Sequence, residues 1–236
     1  MVAEGASETG SGDQEGFVGI LVSSLASDGA GLAQALGTDR WWTVAEPELV
    51  FRMAKDLAAA WARTRGRHRP TYVADSPKGM AKTARNALWA AALPGADYSA
   101  VMVLIDNDHA EKLDGSTKLS ELDAGLACAT LPHAKGVAVQ TLEAWLLADT
   151  ALLAQAAGFS LPADPEKLWG DRKDGDSNHP KCVFRRWMRA ARTGPVDARE
   201  RWSLIRAIPN APSLRAFCRE VVGLLRGLAP TEGSCE

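Results

Sequence analysis

The sequence predicts an α/β domain with a mainly parallel, four-stranded sheet, flanked by helices and followed by a helical C-terminal extension. Short runs of apolar and β-branched residues at 17–22, 71–74, 101–106 and 133–140 have the length of strands. Segments with helical patterns separate these runs, as crossover connections between parallel strands require. The run at 101–106, VMVLID, stays apolar up to its final Asp, which is typical of a strand buried on both faces.

The helical segments are recognised by their caps and by apolar residues at intervals of three and four. Ser27 or Asp28 precedes the first helix, Pro77 stands near the first position of another, and Ser213 is a candidate cap for the last. The polar run at 171–180 predicts a long loop, which in a compact domain is either functional or disordered. The predicted helices cover residues 27–36, 43–65, 78–93, part of 110–128, 141–149, 182–192, 202–208 and 214–228.

The composition divides the chain into three parts. Residues 1–16, rich in Gly, Ser, Thr and acids, predict a disordered leader without the plan of a signal peptide. Residues 17–157 form the predicted α/β domain, and residues 158–236 form a loop and helical extension that packs on it. Four cysteines without a C-x-x-C pair and no apolar stretch long enough to span a membrane predict a cytoplasmic protein with no membrane contact.

The strand at 101–106 ends in a candidate metal site. Asp106 and Asp108 lie where a parallel strand exits, at the sheet edge where α/β proteins bind ligands, and carboxylates are ligands that Mg²⁺ prefers. An alternative interpretation is that Asp-Asn-Asp forms an ordinary turn, since short acids and amides bind their own backbone there. Glu143, in the first turn of the helix after the last predicted strand, is either a third ligand or a residue that complements the helix dipole. His109 is a further candidate ligand, although a lone His after a turn is more often a surface residue.

Basic side chains supply candidate phosphate contacts, because the net charge of −2 leaves only local patches to attract a polyanion. One set shares a face of the helix at 78–93, and another lies in the polar loop and along the helix at 182–192. Either set could also be a solvated surface. The eight tryptophans are interpreted as core residues, with Trp187 the one to examine as a base-stacking residue. The candidate phosphate ligands are Lys78, Lys82, Arg85, Lys173, Lys181, Arg185 and Arg189.

Three motifs, LIDNDH at 104–109, LEAWLLAD at 142–149 and PSLRAF at 212–217, occur in the order found in an uncharacterised bacterial TOPRIM-related family, which the chain resembles. A further element of that family, a stretch similar to Asp-Pro-Lys, is expected at residues 171–173, where Arg172 replaces the proline. The resemblance implies a TOPRIM-like, Rossmann-like fold, as in old-family nucleases. It also implies a Mg²⁺ or Mn²⁺ site built from the Asp-x-Asp and a glutamate at the end of the first strand.

The chain departs from this family at the first strand. Ser23 stands where the glutamate is expected, and the nearest acid downstream is Asp28. Two explanations stay open. Either Glu143 supplies the missing carboxylate, with Asp28 and Asp149 as accessory residues, or the site binds its ligand without catalysing a reaction.

These features favour a Mg²⁺-dependent phosphodiesterase acting on nucleic acid, a nuclease-like TOPRIM domain in a defence module with a partner ATPase. The catalytic and metal-binding residues would be Asp106, Asp108 and Glu143. The alternative is a non-catalytic module of the same fold that binds nucleic acid or an ATPase. A phosphatase of the haloacid-dehalogenase type, which also places Asp-x-Asp after a strand, ranks third because several predicted helices precede the motif here.

Overall fold

The computed structural model describes residues 2–3, 21, 34–36, 52–53, 79–91, 98–107, 116–127, 129–171 and 173–228. The body of its sheet is two parallel six-residue strands, β3 (Val101–Asp106) and β4 (His133–Ala138). Two-residue segments, β1 (Val2–Ala3) and β2 (Arg52–Met53), extend it in parallel in the order β2-β1-β3-β4. The α/β class with a parallel sheet is therefore confirmed.

The four predicted strands are only partly recovered. The runs at 101–106 and 133–140 are strands as expected, whereas the run at 71–74 lies outside the described residues. Of the run at 17–22, only Leu21 is described, and it is buried and helical. The predicted helix at 43–65 is wrong at Arg52–Met53, where pairing with Val2–Ala3 overrides the helical pattern.

The described helices lie mainly after the first half of the chain. Five predicted helices are found within a few residues of their expected bounds, namely those expected at 78–93, within 110–128, and at 182–192, 202–208 and 214–228. The helix bounds are α1 (Gly79–Ala91), α2 (Ser116–Leu126), α3 (Leu142–Leu147), α4 (Thr150–Leu153), α5 (Pro180–Ala191), α6 (Pro195–Arg201), α7 (Leu204–Ala207) and α8 (Pro212–Leu228), with 3-10 turns at Pro165–Lys167 and Ile208–Asn210.

Two helix predictions need correction. The helix expected at 141–149 ends at Leu147, because Asp149 starts a second helix, α4, by accepting a hydrogen bond from the backbone N–H of Leu152 at 3.1 Å. Ser213, expected as the cap of the last helix, lies inside α8, which begins at Pro212. Its hydroxyl instead contacts residues far away in sequence.

Strand β3 separates two hydrophobic layers. Met102 and Leu104 belong to a core formed with α3, α5 and α8, whereas Val101, Val103 and Ile105 belong to a second core formed with α1 and α2. This alternation follows the two-residue period of a strand. All six residues of β3 are buried, which explains why its sequence is continuously apolar up to the final Asp.

Two glycines allow the layers to approach closely. A Cβ at Gly136 in β4 would lie 2.4 Å from the Phe217 ring, so its absence lets α8 pack directly on the strand. A Cβ at Gly125 in α2 would lie 2.4 Å from the carbonyl oxygen of Ala81, so α1 and α2 are also in close contact. Among the residues described, no helix has the length and apolar character needed to cross a membrane.

Candidate metal and phosphate site

Asp106 connects the end of β3 to the start of α3. Its carboxylate is almost fully buried, and Oδ1 accepts a hydrogen bond from the backbone N–H of Leu142 at 2.9 Å. The next residue, Asn107, continues the sheet by donating its backbone N–H to the carbonyl of Ala138 at 2.9 Å. The carboxylate is thus oriented by the first turn of α3, at the sheet edge that the sequence predicted.

Lys181 brings the two described candidate ligands together. Its Nζ lies 3.8 Å from Asp106 Oδ2 and 3.9 Å from Glu143 Oε2. Both distances exceed the roughly 2.7–2.9 Å of a direct charged hydrogen bond, so the ammonium lies between the carboxylates without a tight bond to either. The sequence proposed Asp106 and Glu143 as ligands and Lys181 as a phosphate contact. The structure places all three in one cluster.

The backbone of α5 makes the position of Lys181 unusual. Lys181 follows Pro180 at the start of the helix, and its N–H donates to Nδ1 of the capping residue His179 at 3.2 Å. The N-terminus of a helix carries partial positive charge, so a lysine there is electrostatically unfavourable unless anions compensate it. Asp106 and Glu143 supply that compensation.

Lys118 is a residue of this cluster that the sequence reasoning missed. From the first turn of α2, its ammonium donates a hydrogen bond to the backbone carbonyl of Asp106. The available signal was topological, because the helix after a parallel strand starts near the edge where that strand ends. Two ammonium groups, Lys118 and Lys181, therefore converge on the exit of β3.

The turn between β4 and α3, which lies beside Asp106, contains a strained backbone conformation and buried polar atoms without partners in the described part of the chain. Gln140 has a left-handed φ of 67°, which is uncommon for a residue with a side chain. Gln140 Nε2 and Thr141 Oγ1 are buried, and neither has a hydrogen-bond partner in the described part of the chain. Thr141 caps α3 only through its backbone. Such costs are concentrated at functional sites more often than elsewhere.

Asp149, an accessory candidate, has a different environment. Its fully buried carboxylate accepts hydrogen bonds from Arg206 Nε at 2.8 Å and Nη2 at 2.7 Å, from Ser203 N at 2.9 Å and from Leu152 N at 3.1 Å. The hydrogen bond to Asp149 raises the pKa of Arg206. These contacts join α4 to α7 and account for Asp149 as a structural residue.

The residues predicted to contact phosphate lie in separate parts of the structure. Arg185 and Arg189 are exposed on α5, on the same side as Lys181 because residues three or four apart are neighbours on a helix. Lys82 is exposed on α1, Arg85 lies on the same helix and is partly buried, and Lys173 is exposed in the loop. Lys78 lies outside the described residues.

Trp187 is fully buried and its ring stacks on Phe184, so it belongs to the core. Among the tryptophans whose burial the structure describes, Trp169 is the exposed one, with 57% of the residue's surface accessible just before the polar loop. Sequence reasoning passed over Trp169 because nothing in its local pattern separates it from the core tryptophans.

The structure describes the Asp-Pro-Lys-like element expected at 171–173 only at its two ends. Asp171 and Lys173 are exposed, and residue 172 lies outside the described part. The stretch that reaches the core is the 3-10 turn Pro165–Lys167, preceded by Asp164. There the buried Glu166 accepts a hydrogen bond from the backbone N–H of Ser213 at 3.1 Å.

Several predicted ligands cannot be placed. Ser23, Asp28, Asp108 and His109 lie outside the described residues. Within the residues that are described, no group of three or more His, Cys, Asp or Glu side chains is arranged to hold a metal ion. The described cluster therefore contains two carboxylates and two ammonium groups.

Comparison of the chain with protein-family models, with curated proteins and with solved structures finds no match in any of the three.

Proposed function

We propose that the chain is a Mg²⁺-dependent phosphodiesterase with a TOPRIM-like fold that acts on nucleic acid. The observation that carries this proposal is the cluster at the exit of β3. There Asp106 Oδ2 and Glu143 Oε2 lie 3.8 and 3.9 Å from one cationic atom, Lys181 Nζ. Two carboxylates around one cation position, with the Lys118 ammonium group beside it, suit the binding of a phosphate group and a divalent cation.

The donor chemistry fits Mg²⁺. Asp106 Oδ1 is engaged by the Leu142 N–H, which leaves Oδ2 facing the cation position with Glu143. Carboxylate oxygens are the ligands that Mg²⁺ prefers, and Asp106 and Glu143 would hold it, with Asp108 the expected third ligand. When bound, Mg²⁺ would neutralise charge on phosphate oxygens and make a water molecule more acidic.

The chain's own residues then have separate tasks. The first turn of α3 orients both carboxylates, because it supplies the N–H that binds Asp106 and carries Glu143. Lys181 is partly exposed and can donate to a phosphate oxygen. Arg185 and Arg189 continue the positive charge along α5, which would attract the polyanionic backbone at a distance from the reacting group.

One observation favours the alternative of a non-catalytic binding module. Lys181 already neutralises Asp106 and Glu143, as an ammonium group does in a site that needs no metal. Such a module would bind nucleic acid or a partner ATPase through the same surface. The two functions differ in metal-dependent cleavage.

The test is cleavage of end-labelled single- and double-stranded DNA and RNA with Mg²⁺ or Mn²⁺, with and without a co-expressed ATPase. Asp106→Asn and Asp108→Asn should each abolish cleavage, and Asp106→Asn should leave the fold intact because its amide oxygen still accepts from Leu142 N–H. Asp197→Asn, an exposed carboxylate change on α6, is the matched control and should cleave normally. If the native chain cleaves none of these substrates under any of these conditions, the phosphodiesterase proposal is wrong and the binding-module proposal takes its place.

A further inference from the structure

The basic side of α5 continues beyond the candidate site into a surface groove. The groove has a volume of about 510 Å³ and lies next to the C-terminal half of the helix. Its arginines follow Lys181 at intervals of four, four and three residues, so the four side chains form one stripe along the helix. The residues lining the groove are Arg185, Met188, Arg189, Arg192, Thr193 and Pro195.

The lining of the groove combines cationic groups with apolar atoms. Met188, Pro195 and the aliphatic stems of the arginines supply apolar surface, and the guanidinium groups supply charge. Within the described part of the chain, no hydrogen bond or ion pair engages the guanidinium groups of Arg185, Arg189 or Arg192, although Arg186 on the same helix donates to Ser177 O at 2.6 Å. The groove arginines are therefore placed to bind a ligand, whereas Arg186 supports the loop.

Arg192 occupies a position that normally favours glycine. It ends α5 in the left-handed conformation, with φ 51° and ψ 42°, where a side chain is strained. A cation is favourable at a helix C-terminus, but Arg189 already lies in the last turn. Arg192 thus adds little favourable charge at the helix C-terminus beyond that of Arg189. Its side chain instead lines the groove.

We infer that this groove binds a single-stranded polynucleotide that leads to the candidate site, an inference that rests on the proposed function. The arginines contact successive phosphates, and the apolar floor accepts an unpaired base. In a duplex the faces of the bases are stacked inside and cannot enter such a groove, whereas single strands expose them. With a rise of 1.5 Å per residue, Arg192 lies roughly 16 Å along the helix from Lys181, which corresponds to a few nucleotides.

The test measures binding without cleavage. Fluorescein-labelled (dT)20 and a 20-base-pair duplex are titrated with the full-length chain in EDTA, at several salt concentrations, by fluorescence anisotropy. The native chain should bind the single strand more tightly than the duplex. Arg192→Gly should weaken binding to (dT)20 several-fold and reduce the salt slope by about 0.7, the contribution of one phosphate contact on a single strand.

Thermal stability separates a binding role from a structural one. Because glycine relieves the left-handed strain, Arg192→Gly should leave the melting temperature unchanged or raise it by about 1–4 °C. Arg226→Ala removes the same charge from the last turn of α8 and serves as the control, which should bind (dT)20 like the native chain.

Three results would overturn the inference. They are equal binding of (dT)20 by Arg192→Gly and the native chain, duplex binding as tight as single-strand binding, and no binding of either probe by the native chain. If Arg192→Gly lowers the melting temperature, its binding result is replaced by that of Arg189→Met, a change at an exposed position within the helix. Unchanged affinity of Arg189→Met for (dT)20 overturns the inference. Because no metal is present, failure of the proposed cleavage reaction leaves these results unaffected.

Discussion

The carboxylate of Glu166 accepts a hydrogen bond from the backbone N–H of Ser213 at 3.1 Å and another from the Ser213 hydroxyl. The same hydroxyl accepts a hydrogen bond from the indole N–H of Trp145 at 2.8 Å. Trp145 in turn stacks on Phe217, with ring centroids 5.8 Å apart. The LEAWLLAD and PSLRAF motifs are thus joined by Ser213 and by an aromatic pair, and Glu166 binds the start of α8.

Ser213→Ala should destabilise the fold by about 1–3 kcal/mol, because it leaves the Trp145 N–H without its acceptor and removes the hydroxyl hydrogen bond to Glu166, which keeps the bond from the backbone N–H. The free energy of unfolding from urea titration measures this. Ser203→Ala is the matched control, since Ser203 caps α7 without a side-chain hydrogen bond, and it should cost less than about 0.5 kcal/mol. Equal small effects in both variants would show that the Ser213 hydroxyl contributes nothing to the link between the motifs.

Glu166 also predicts a dependence of stability on pH. Burial raises the pKa of its carboxyl group above the ordinary value, against the lowering effect of the hydrogen bonds from Ser213. A group whose pKa is raised by folding contributes stability below its unfolded pKa and loses that contribution as pH rises through its folded pKa. The native chain should therefore lose stability relative to Glu166→Gln as the pH rises above the ordinary carboxyl pKa of 4.5.

The measurement is the difference in free energy of unfolding between the native chain and Glu166→Gln at each pH. Glu220→Gln, an exposed change on α8, should show no such trend relative to the native chain. A difference between the native chain and Glu166→Gln that stays constant with pH would contradict the assignment.

The strand that organises the site could be predicted from sequence because its signal is local. Six consecutive residues, apolar until a final Asp, define β3 without reference to the rest of the chain. The cluster around Asp106 could be predicted only in part. Lys118 and Lys181 reach it from helices 12 and 75 residues later in the chain, and tertiary packing alone sets which residues of those helices face the strand.

Ser213 and Trp169 also show that local sequence does not determine whether a side chain has buried partners. A serine at the start of a helix is most often a cap, and only packing of α8 against α3 and the 3-10 turn gives its hydroxyl buried partners. A tryptophan is most often a core residue, yet Trp169 is exposed. In each case the local pattern gives the common outcome, and contacts distant in sequence decide the actual one.

Lys181→Met should increase the affinity for Mn²⁺, because the ammonium that lies between Asp106 and Glu143 competes with the metal for the same carboxylates. We expect a gain of about tenfold, equivalent to about 1.4 kcal/mol. Calorimetry with Mn²⁺ measures it on the full chain. Arg185→Met, one helical turn further along the stripe, is the control and should bind Mn²⁺ like the native chain.

Melting temperatures test the same prediction independently, in case Lys181→Met also reduces the stability of the fold. Without Lys181, the nearly buried carboxylate of Asp106 loses its ion pair, so the variant should melt at a lower temperature in EDTA. Mn²⁺ should then raise its melting temperature more than that of the native chain. Equal Mn²⁺ affinity and equal stabilisation in the two proteins would show that Lys181 does not occupy the metal position.

The last prediction tests whether Glu143 takes the place of the glutamate that the proposed TOPRIM-like fold would carry at position 23. If Glu143 has replaced it, Glu143→Gln should abolish cleavage, because the amide removes both the charge and the proton acceptor. Loss of a positioned acid or base typically costs about a hundred- to ten-thousandfold in rate. Ser23→Glu in the native chain should then lower cleavage or leave it level, since an added carboxylate would crowd the metal.

If Glu143 is instead only a first-turn residue of α3, the order of effects reverses. Ser23→Glu should raise cleavage, whereas Glu143→Gln should change the rate little and act mainly on the position of Lys181. Single-turnover cleavage rates of the native chain and both variants, measured with saturating Mg²⁺, decide between the two arrangements. Loss of activity in Glu143→Gln that Ser23→Glu restores in the double variant would show that the carboxylate can be supplied from either the predicted first strand or α3.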